Sequence, residues 1–258
     1  GNTCFIDSSS SEHSITLSSA PTHKTTECKF GSTSMYFDGT DDIIRVTDSA
    51  DWDFPAGTDF TIDFWYNSSA EDAPGGSQRR LLAFWEDTDI NNYNSIQIFN
   101  YDYQAQDSYV QFYSDTWRLY GPDIDPTGNW HHFALVRSGT TTSLYFDGVL
   151  SDSMTDNSSY VSDGIFIGGH DFKSNFEGYM DEIRVSKGIA RWTNNFIPPA
   201  RPYSTVNSES FEEQDRLTTA MTATNAGFVG HGITTPEFHF DSVAKCSSAN
   251  LTIGRFLN

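Results

Sequence analysis

Apolar and polar residues alternate over short runs along most of the chain, and the runs end at Gly, Asp, Asn or Pro. Successive side chains of a strand point to opposite faces, so a period of two predicts antiparallel strands with one face on a core. In FTIDFWY (60–66), Phe60, Ile62 and Phe64 share one face while Asp63 and Trp65 take the other. SIQIF, YVQFY, HFALVRS, SLYFDG, GIFIGG and YMDEIRVS continue the rhythm, and helical spacing is scarce. Many short strands broken by turn residues predict an all-β, two-sheet sandwich.

One phrase occurs twice, as SMYFDG (34–39) and SLYFDG (143–148). In each copy an apolar residue and Phe share one parity, Tyr takes the other, and Asp-Gly supplies a tight turn. The duplication predicts two hairpins of the same local architecture. After the first copy, Thr40, Asp41 and Asp42 precede IIRV, so Asp38, Asp41 and Asp42 crowd one turn. Like charges so close repel unless a cation or a donor sits between them, which leaves a metal site and solvated turn caps as equal readings.

Three prolines in IPPARPY (197–203) close the strand pattern and divide a domain at 1–203 from an extension at 204–258. In the extension SESFEEQDRLTTAM reads as a short helix, and EFHFDSV and ANLTIGRF read as strands. About 55 residues rarely support a core of their own. The extension is therefore expected to dock on its own sandwich or to add a strand to a neighbouring subunit's edge.

The 258 residues carry 15 Lys+Arg against 35 Asp+Glu, a formal charge of -20. Such a surface repels nucleic acid and anionic membranes and suits divalent cations and neutral or cationic ligands. No apolar run approaches the roughly 20 residues of a membrane-spanning helix. Gly1 in place of Met leaves a removed leader and a piece of a longer chain as alternative readings. Cys4, Cys28 and Cys246 have no zinc-type spacing; Cys4 with Cys28 would staple the first strands in an oxidising compartment and leave Cys246 odd.

The ordered segments FGSTSMYFDGTDDIIRV, DFTIDFW, NWHHFALVR, TSLYFDGVL, IFIGG and FEGYMDEIRVSKGIARWTNNFIPP together resemble the laminin-G-like branch of the concanavalin A-like lectin/glucanase superfamily, from Phe30 to Tyr203. The ending GIARWTNNFIPPARPY is similar to versions of that domain in bacteriophage structural and tail-fibre proteins. The resemblance implies an antiparallel jelly roll of about a dozen strands with a convex and a concave face. It also implies one of two uses, a glucanase with a Glu-x-Asp-x-Glu strand or a non-catalytic binding module. WEDTD (85–89) and MDEIR (180–184) do not reproduce that carboxylate spacing, and no GxSxG, HExxH or phosphate loop is present. A non-enzymatic protein is expected.

On a continuous strand Asp181 shares the parity of Ile183 and Val185 and points to the apolar side, where an unpaired charge is costly. The resemblance implies a structural Ca²⁺ joining the last strands to the N-terminal segment, with oxygens from Asp181 and from Asp38, Asp42 or Asp7. Backbone hydrogen bonds to Asp181, or its pairing with Arg45 or Arg184, is the other reading. Related pentraxin-type domains imply a second site in which Asp89 of the loop EDTDINNYN (86–94) meets Asp171, and a solvated loop is the other reading.

Sugars stack their C–H faces on aromatic rings and give their hydroxyls to Asp, Asn and Gln. Trp65, Trp85, Tyr101, Tyr103, Tyr113 and Trp117 are the candidates for that role, whereas Trp130, His131 and His132 read as core. The function expected is a non-catalytic structural and adhesion protein of an extracellular assembly, a phage virion above all. Its jelly roll would bind a glycan or cell-surface polysaccharide, and its extension would join other subunits. The alternatives are a secreted or cell-surface carbohydrate-binding module and a degenerate glucanase or lyase.

Overall fold

A computed structural model of the chain describes residues 5–69, 78–84, 96–102, 108–114, 117–123, 127–170, 175–203 and 237–241, with the backbone alone at 78, 100–102, 108, 109, 117, 118 and 237–241. Among the described residues there are sixteen strands. In the first half they are β1 (Ile6–Asp7), β2 (Ile15–Ser18), β3 (Thr22–Lys24), β4 (Ser34–Asp38), β5 (Ile43–Thr47), β6 (Phe60–Ser68), β7 (Gln78–Phe84) and β8 (Ile96–Asp102). The second half adds β9 (Ser108–Ser114), β10 (Trp117–Tyr120), β11 (His131–Ser138), β12 (Thr141–Phe146), β13 (Val149–Thr155), β14 (Gly164–Ile167), β15 (Glu177–Lys187) and β16 (Glu237–Asp241). Among the described residues the only helical piece is a 3-10 turn at Ala50–Trp52.

The nine-stranded sheet runs β1-β16-β15-β6-β11-β12-β13, with β4 also on β15 and β3 on β4; the seven-stranded sheet runs β10-β9-β8-β7-β14-β5-β2. Every strand pairing is antiparallel. The two sheets enclose one core, the two-sheet sandwich that the alternation predicts and the jelly roll that the resemblance implies. Phe60, Ile62, Phe64 and Tyr66 of β6, Phe133 and Leu135 of β11, and Met180, Ile183 and Val185 of β15 face Ile44, Val46, Leu82, Phe84, Ile98, Phe112, Ile165 and Ile167 across it. Burying each such side chain stabilises by roughly 1.5–3 kcal/mol.

The repeated phrase resolves into two different structures. At SLYFDG, Phe146 pairs with Val149, and Asp147 and Gly148 take φ 48° and 76°, the left-handed pair of a two-residue hairpin turn. A side chain at Gly148 would also meet Phe196 O. At SMYFDG the expected hairpin is absent: β4 pairs with β3 and β15, whereas β5 belongs to the other sheet. The three residues Thr40–Asp42 lengthen the turn so that the chain crosses the sandwich instead of returning beside itself.

The strand expected in EFHFDSV is β16, and it lies on this chain's own sheet, with Ile183 opposite Phe240 and Val185 opposite Phe238. Its other edge carries β1. The helix expected at SESFEEQDRLTTAM and the strand expected at ANLTIGRF lie outside the described residues, as does Cys4. Cys28 is a free thiol, so the expected staple is not formed. Among the described residues no helix is long and apolar enough to cross a membrane.

Candidate functional site

The outer face of the nine-stranded sheet is roofed by the chain's own residues 188–203. Trp192 and Phe196 stack with centroids 3.9 Å apart, and with Ala190 they pack on Ala134, Val136 and Tyr145. Beneath this roof Arg184 donates through Nε and a terminal nitrogen to the two oxygens of Asp63, at 3.0 and 2.9 Å. The Tyr203 hydroxyl donates to the same carboxylate, and the Tyr203 N–H donates to Glu182. His132 Nε2 lies 3.2 Å from the Tyr203 oxygen, which fixes the proton on Nε2 and leaves Nδ1 without a partner. Burial opposes ionisation of Asp63, yet Arg184 and His132 outweigh it and hold the carboxyl well below the usual range. Burial likewise keeps His132 neutral by lowering its pKa, and it pushes the Tyr203 phenol up. The Asp63 charge is matched by Arg184, and Tyr203 of the roof donates to both buried carboxylates, so the network fastens the roof.

Two sequence candidates belong to this covered face. Trp65 is only 6% exposed. Lys29 Nζ sits 3.7 Å above its ring, with Phe30 and His132 edge-on, so Trp65 offers no platform to a sugar. The parity expected for Asp181 is overturned by a bulge: Glu182 has φ 52°, and the register slips between Asp181 and Arg184. The extra residue turns Asp181 outward, opposite Trp65, where it accepts the N–H groups of Lys29, Phe30 and Glu182.

Of the carboxylates expected to share a calcium ion, Asp181 and Asp7 stand apart from Asp38 and Asp42. Asp181 lies four positions along β15 from Glu177, the register partner of Asp38, and Asp7 is occupied by Ser9 and His13. Asp38, Asp41 and Asp42 do gather, with one ligand oxygen from each within 4.8 Å of the others. Asp42 accepts from Ala20 N at 3.0 Å and Asp38 N at 3.0 Å, and Asp38 accepts from Thr40 N at 2.8 Å. Burial raises the pKa of Asp42 against those two hydrogen bonds, and repulsion from Asp38 and Asp41 adds to it. The donor set suits a hard cation in kind, with Asp41 in place of Asp181. Asp89 and Asp171, the second expected pair, lie outside the described residues.

The outer face of the seven-stranded sheet is built differently. Ladder register aligns one residue from every strand, in the order Arg118, Tyr113, Gln97, Ala83, Phe166, Arg45 and Thr16. A second row, Tyr120, Gln111, Phe99 and Arg80, runs beside the first over four strands. Ile43, Ala83 and Phe166 form a small apolar floor separate from the main core. Arg45 lies over the Phe166 ring at 5.0 Å, and His170 meets that ring edge-on at 4.6 Å. Arg80 lies over Phe99 at 4.8 Å and donates to Gln97 Oε1 at 3.1 Å. Of the aromatic candidates, Tyr113 is part-exposed on this face. Tyr101 and Trp117 occupy its strands at positions where the backbone alone is described, and Trp85 and Tyr103 lie outside the described residues.

A laminin-G family model described as the concanavalin A-like lectin/glucanases superfamily matches residues 38–191. The chain belongs to that superfamily. No curated protein matches it in sequence. Among solved structures, this concanavalin A-like domain is similar to domain 4 of an extracellular arabinanase from Geobacillus stearothermophilus, solved with arabinotriose (TM-score 0.51, 17% identity, 69% of this chain and 84% of that one). It is also similar to the binding domain of botulinum neurotoxin serotype G (TM-score 0.53, 10% identity, 78% of this chain and 46% of that one). Both are likenesses of fold.

Sequence reasoning missed Arg45, Arg80, Gln97, Phe99, Gln111 and Phe166, the residues that give the outer face of the seven-stranded sheet its mixed aromatic and polar character; Arg45 and Arg80 are part-buried and the other four are buried. Their signal was present in the alternation. In IIRV and GIFI the position opposite the core residues holds Arg or Phe instead of Ser or Thr.

Proposed function

We propose that the protein is a non-catalytic saccharide-binding domain that receives its ligand on the outer face of the seven-stranded sheet. The observation that supports this is the pair of ladder rows in which aromatic rings, amides and guanidinium groups stand in register. A pyranose or furanose ring presents both a C–H face and a belt of hydroxyls, and in these rows the part-exposed Tyr113, the exposed Tyr120 and the part-buried Arg45 offer a partner to each. The missing Glu-x-Asp-x-Glu strand supports binding without hydrolysis. The arabinanase domain, solved with arabinotriose, is a precedent for the same fold holding a saccharide. A glycan array probed with the full chain tests the reading: at least one glycan class is retained, and Tyr113→Ala weakens that retention. No retention of any saccharide, with calcium or with chelator, would leave a scaffold role only.

The wider setting we assign is an extracellular assembly, a fibre or decoration protein of a phage virion. The likeness of GIARWTNNFIPPARPY to phage structural versions of the domain is its support. Mass spectrometry of purified particles decides between this and a secreted module. Recovery of the protein only as free, soluble material would favour the module.

A further inference from the structure

Aromatic residues that point outward from the nine-stranded sheet are treated in two ways. Trp65 is covered by Lys29 and Phe30, and Tyr145 by Phe196, so the two are 6% and 1% exposed. Tyr36 of β4 and Tyr179 of β15 alternate with the core residues Met35, Phe37 and Met180 and so also face outward, yet both are part-exposed. They are direct register partners, and their rings meet with centroids 5.1 Å apart at 49°. Elsewhere the fold uses the tyrosine hydroxyl: Tyr160 donates to Asp156 and Tyr203 to Asp63. Among the described residues neither the Tyr36 nor the Tyr179 hydroxyl makes a hydrogen bond.

Polar groups border this ring pair on the same face. Thr22 of β3 is the register partner of Tyr36 on its other side. Asp38 and Glu177 pair with each other two residues along β4 and β15, about 7 Å from the rings. In the opposite direction Lys24 places Nζ 5.0 Å from the Tyr36 centroid, with no carboxylate partner among the described residues. Asp38 is exposed, and Thr22, Lys24 and Glu177 are part-exposed; Glu177 also lies 3.9 Å from Arg79. Asp41 and Asp42 gather behind Asp38, so the border is acidic and repels an anion. Lys24 already supplies the cation that the Tyr36 ring attracts. What remains is a neutral ligand whose groups both donate and accept, as hydroxyls do.

Resting on the saccharide reading, we infer that Tyr36 and Tyr179 form a second saccharide site, on the sheet opposite the first. A neutral sugar ring lies against the tyrosine pair and gives its hydroxyls to Thr22, Lys24, Asp38 and Glu177. The two sites face away from each other across the sandwich, so one glycan segment cannot fill both. The domain therefore bridges two chains, and on a glycan-dense surface it holds by both at once.

The test uses the full chain with ¹³C in its tyrosine rings, titrated with arabinotriose, cellotriose, maltotriose, mannotriose and every glycan that the array retains. Ring signals are assigned with Tyr36→Leu, Tyr179→Leu and Tyr113→Ala, and the fold of each variant is checked by thermal unfolding. At least one of these ligands shifts the Tyr36 and Tyr179 signals, and shifts them equally in Tyr113→Ala. Tyr36→Leu and Tyr179→Leu each weaken binding, read from the remaining ring, by about three- to tenfold, the worth of one ring contact. Thr22→Arg, which lays a longer side chain beside the rings, blocks the response without removing either ring. Tyr36 and Tyr179 signals that stay still with every ligand, or that move only while Tyr113 is intact, overturn the inference and leave the saccharide reading standing. Still signals together with an empty glycan array overturn both.

Discussion

The two outer faces of this sandwich use arginine in opposite ways. On the nine-stranded sheet Arg184 is enclosed by Asp63, Tyr203 and Trp192 under residues 188–203. Arg137, on the inner side of the same sheet over the core rings of Phe60 and Tyr160, donates to the carbonyls of Phe54, Pro55, Thr58 and Ser158. On the seven-stranded sheet Arg45 and Arg80 rest on rings, and no part of 188–203 covers them. Under the roof the buried arginine is matched by a carboxylate, whereas Arg45 is held against the face of a ring.

The sharpest test of the covered side is Arg184→Met, which strands the Asp63 carboxylate. Urea unfolding should record a loss of about 3–5 kcal/mol, the cost of an uncompensated buried charge. A loss below about 1 kcal/mol would place Asp63 in contact with water and erase the contrast between the faces. Tyr203→Phe should cost about 2 kcal/mol by removing one donor to a buried carboxylate. Proteolysis within 188–203 should accelerate in that variant, and unchanged cleavage would mean that the roof is fastened elsewhere.

The third effect is one of pH. His132 has a lowered pKa in the folded protein because burial disfavours its charged form, while the unfolded chain takes up the proton near pH 6.5. Below that value the unfolded state binds more protons, so stability falls with pH, at up to about 1.4 kcal/mol per pH unit, until the folded pKa is reached. The Asp63 contribution is present above the ordinary carboxylate range and is lost only in stronger acid. His132→Asn should flatten the slope below about pH 6.5. A parent protein with no slope there would place the titration of His132 elsewhere.

The smallest effect decides the acidic turn by its sign. Without a metal, Asp41→Asn relieves repulsion with Asp38 and Asp42 and should stabilise by about 0.5 kcal/mol. Calcium held by the three carboxylates, the structural role that the family resemblance suggests, is the proposal this variant tests. In that case calcium raises the melting temperature of the parent and Asp41→Asn abolishes the rise.

The two sheets and their core were legible because alternation reports which side of a strand each residue takes, and Phe60, Ile62 and Phe64 obey it without interruption. Asp181 broke the rule because one bulged residue reverses parity while leaving the composition of MDEIR unchanged. Trp65 was assigned correctly to the outer side, but outward is not the same as exposed: what lies above a sheet comes from distant sequence, here Lys29 and Phe30. Arg45 and Phe166 went unnoticed for a related reason. Each is a single residue in a strand read for its core positions, and only the pairing of β5 with β14 makes them neighbours.

β16 has a kinetic consequence. One edge of Ile183–Ser186 in β15 is closed only by residues 237–241, about fifty positions downstream. At roughly 5–20 residues per second, a nascent chain that has just released β15 from the ribosome waits about 2.5–10 s for the strand that completes it. During that wait its hydrogen-bonding groups stand unsatisfied beside those of every other polypeptide emerging from the same polysome, so crowding on one messenger sets the hazard of intermolecular pairing.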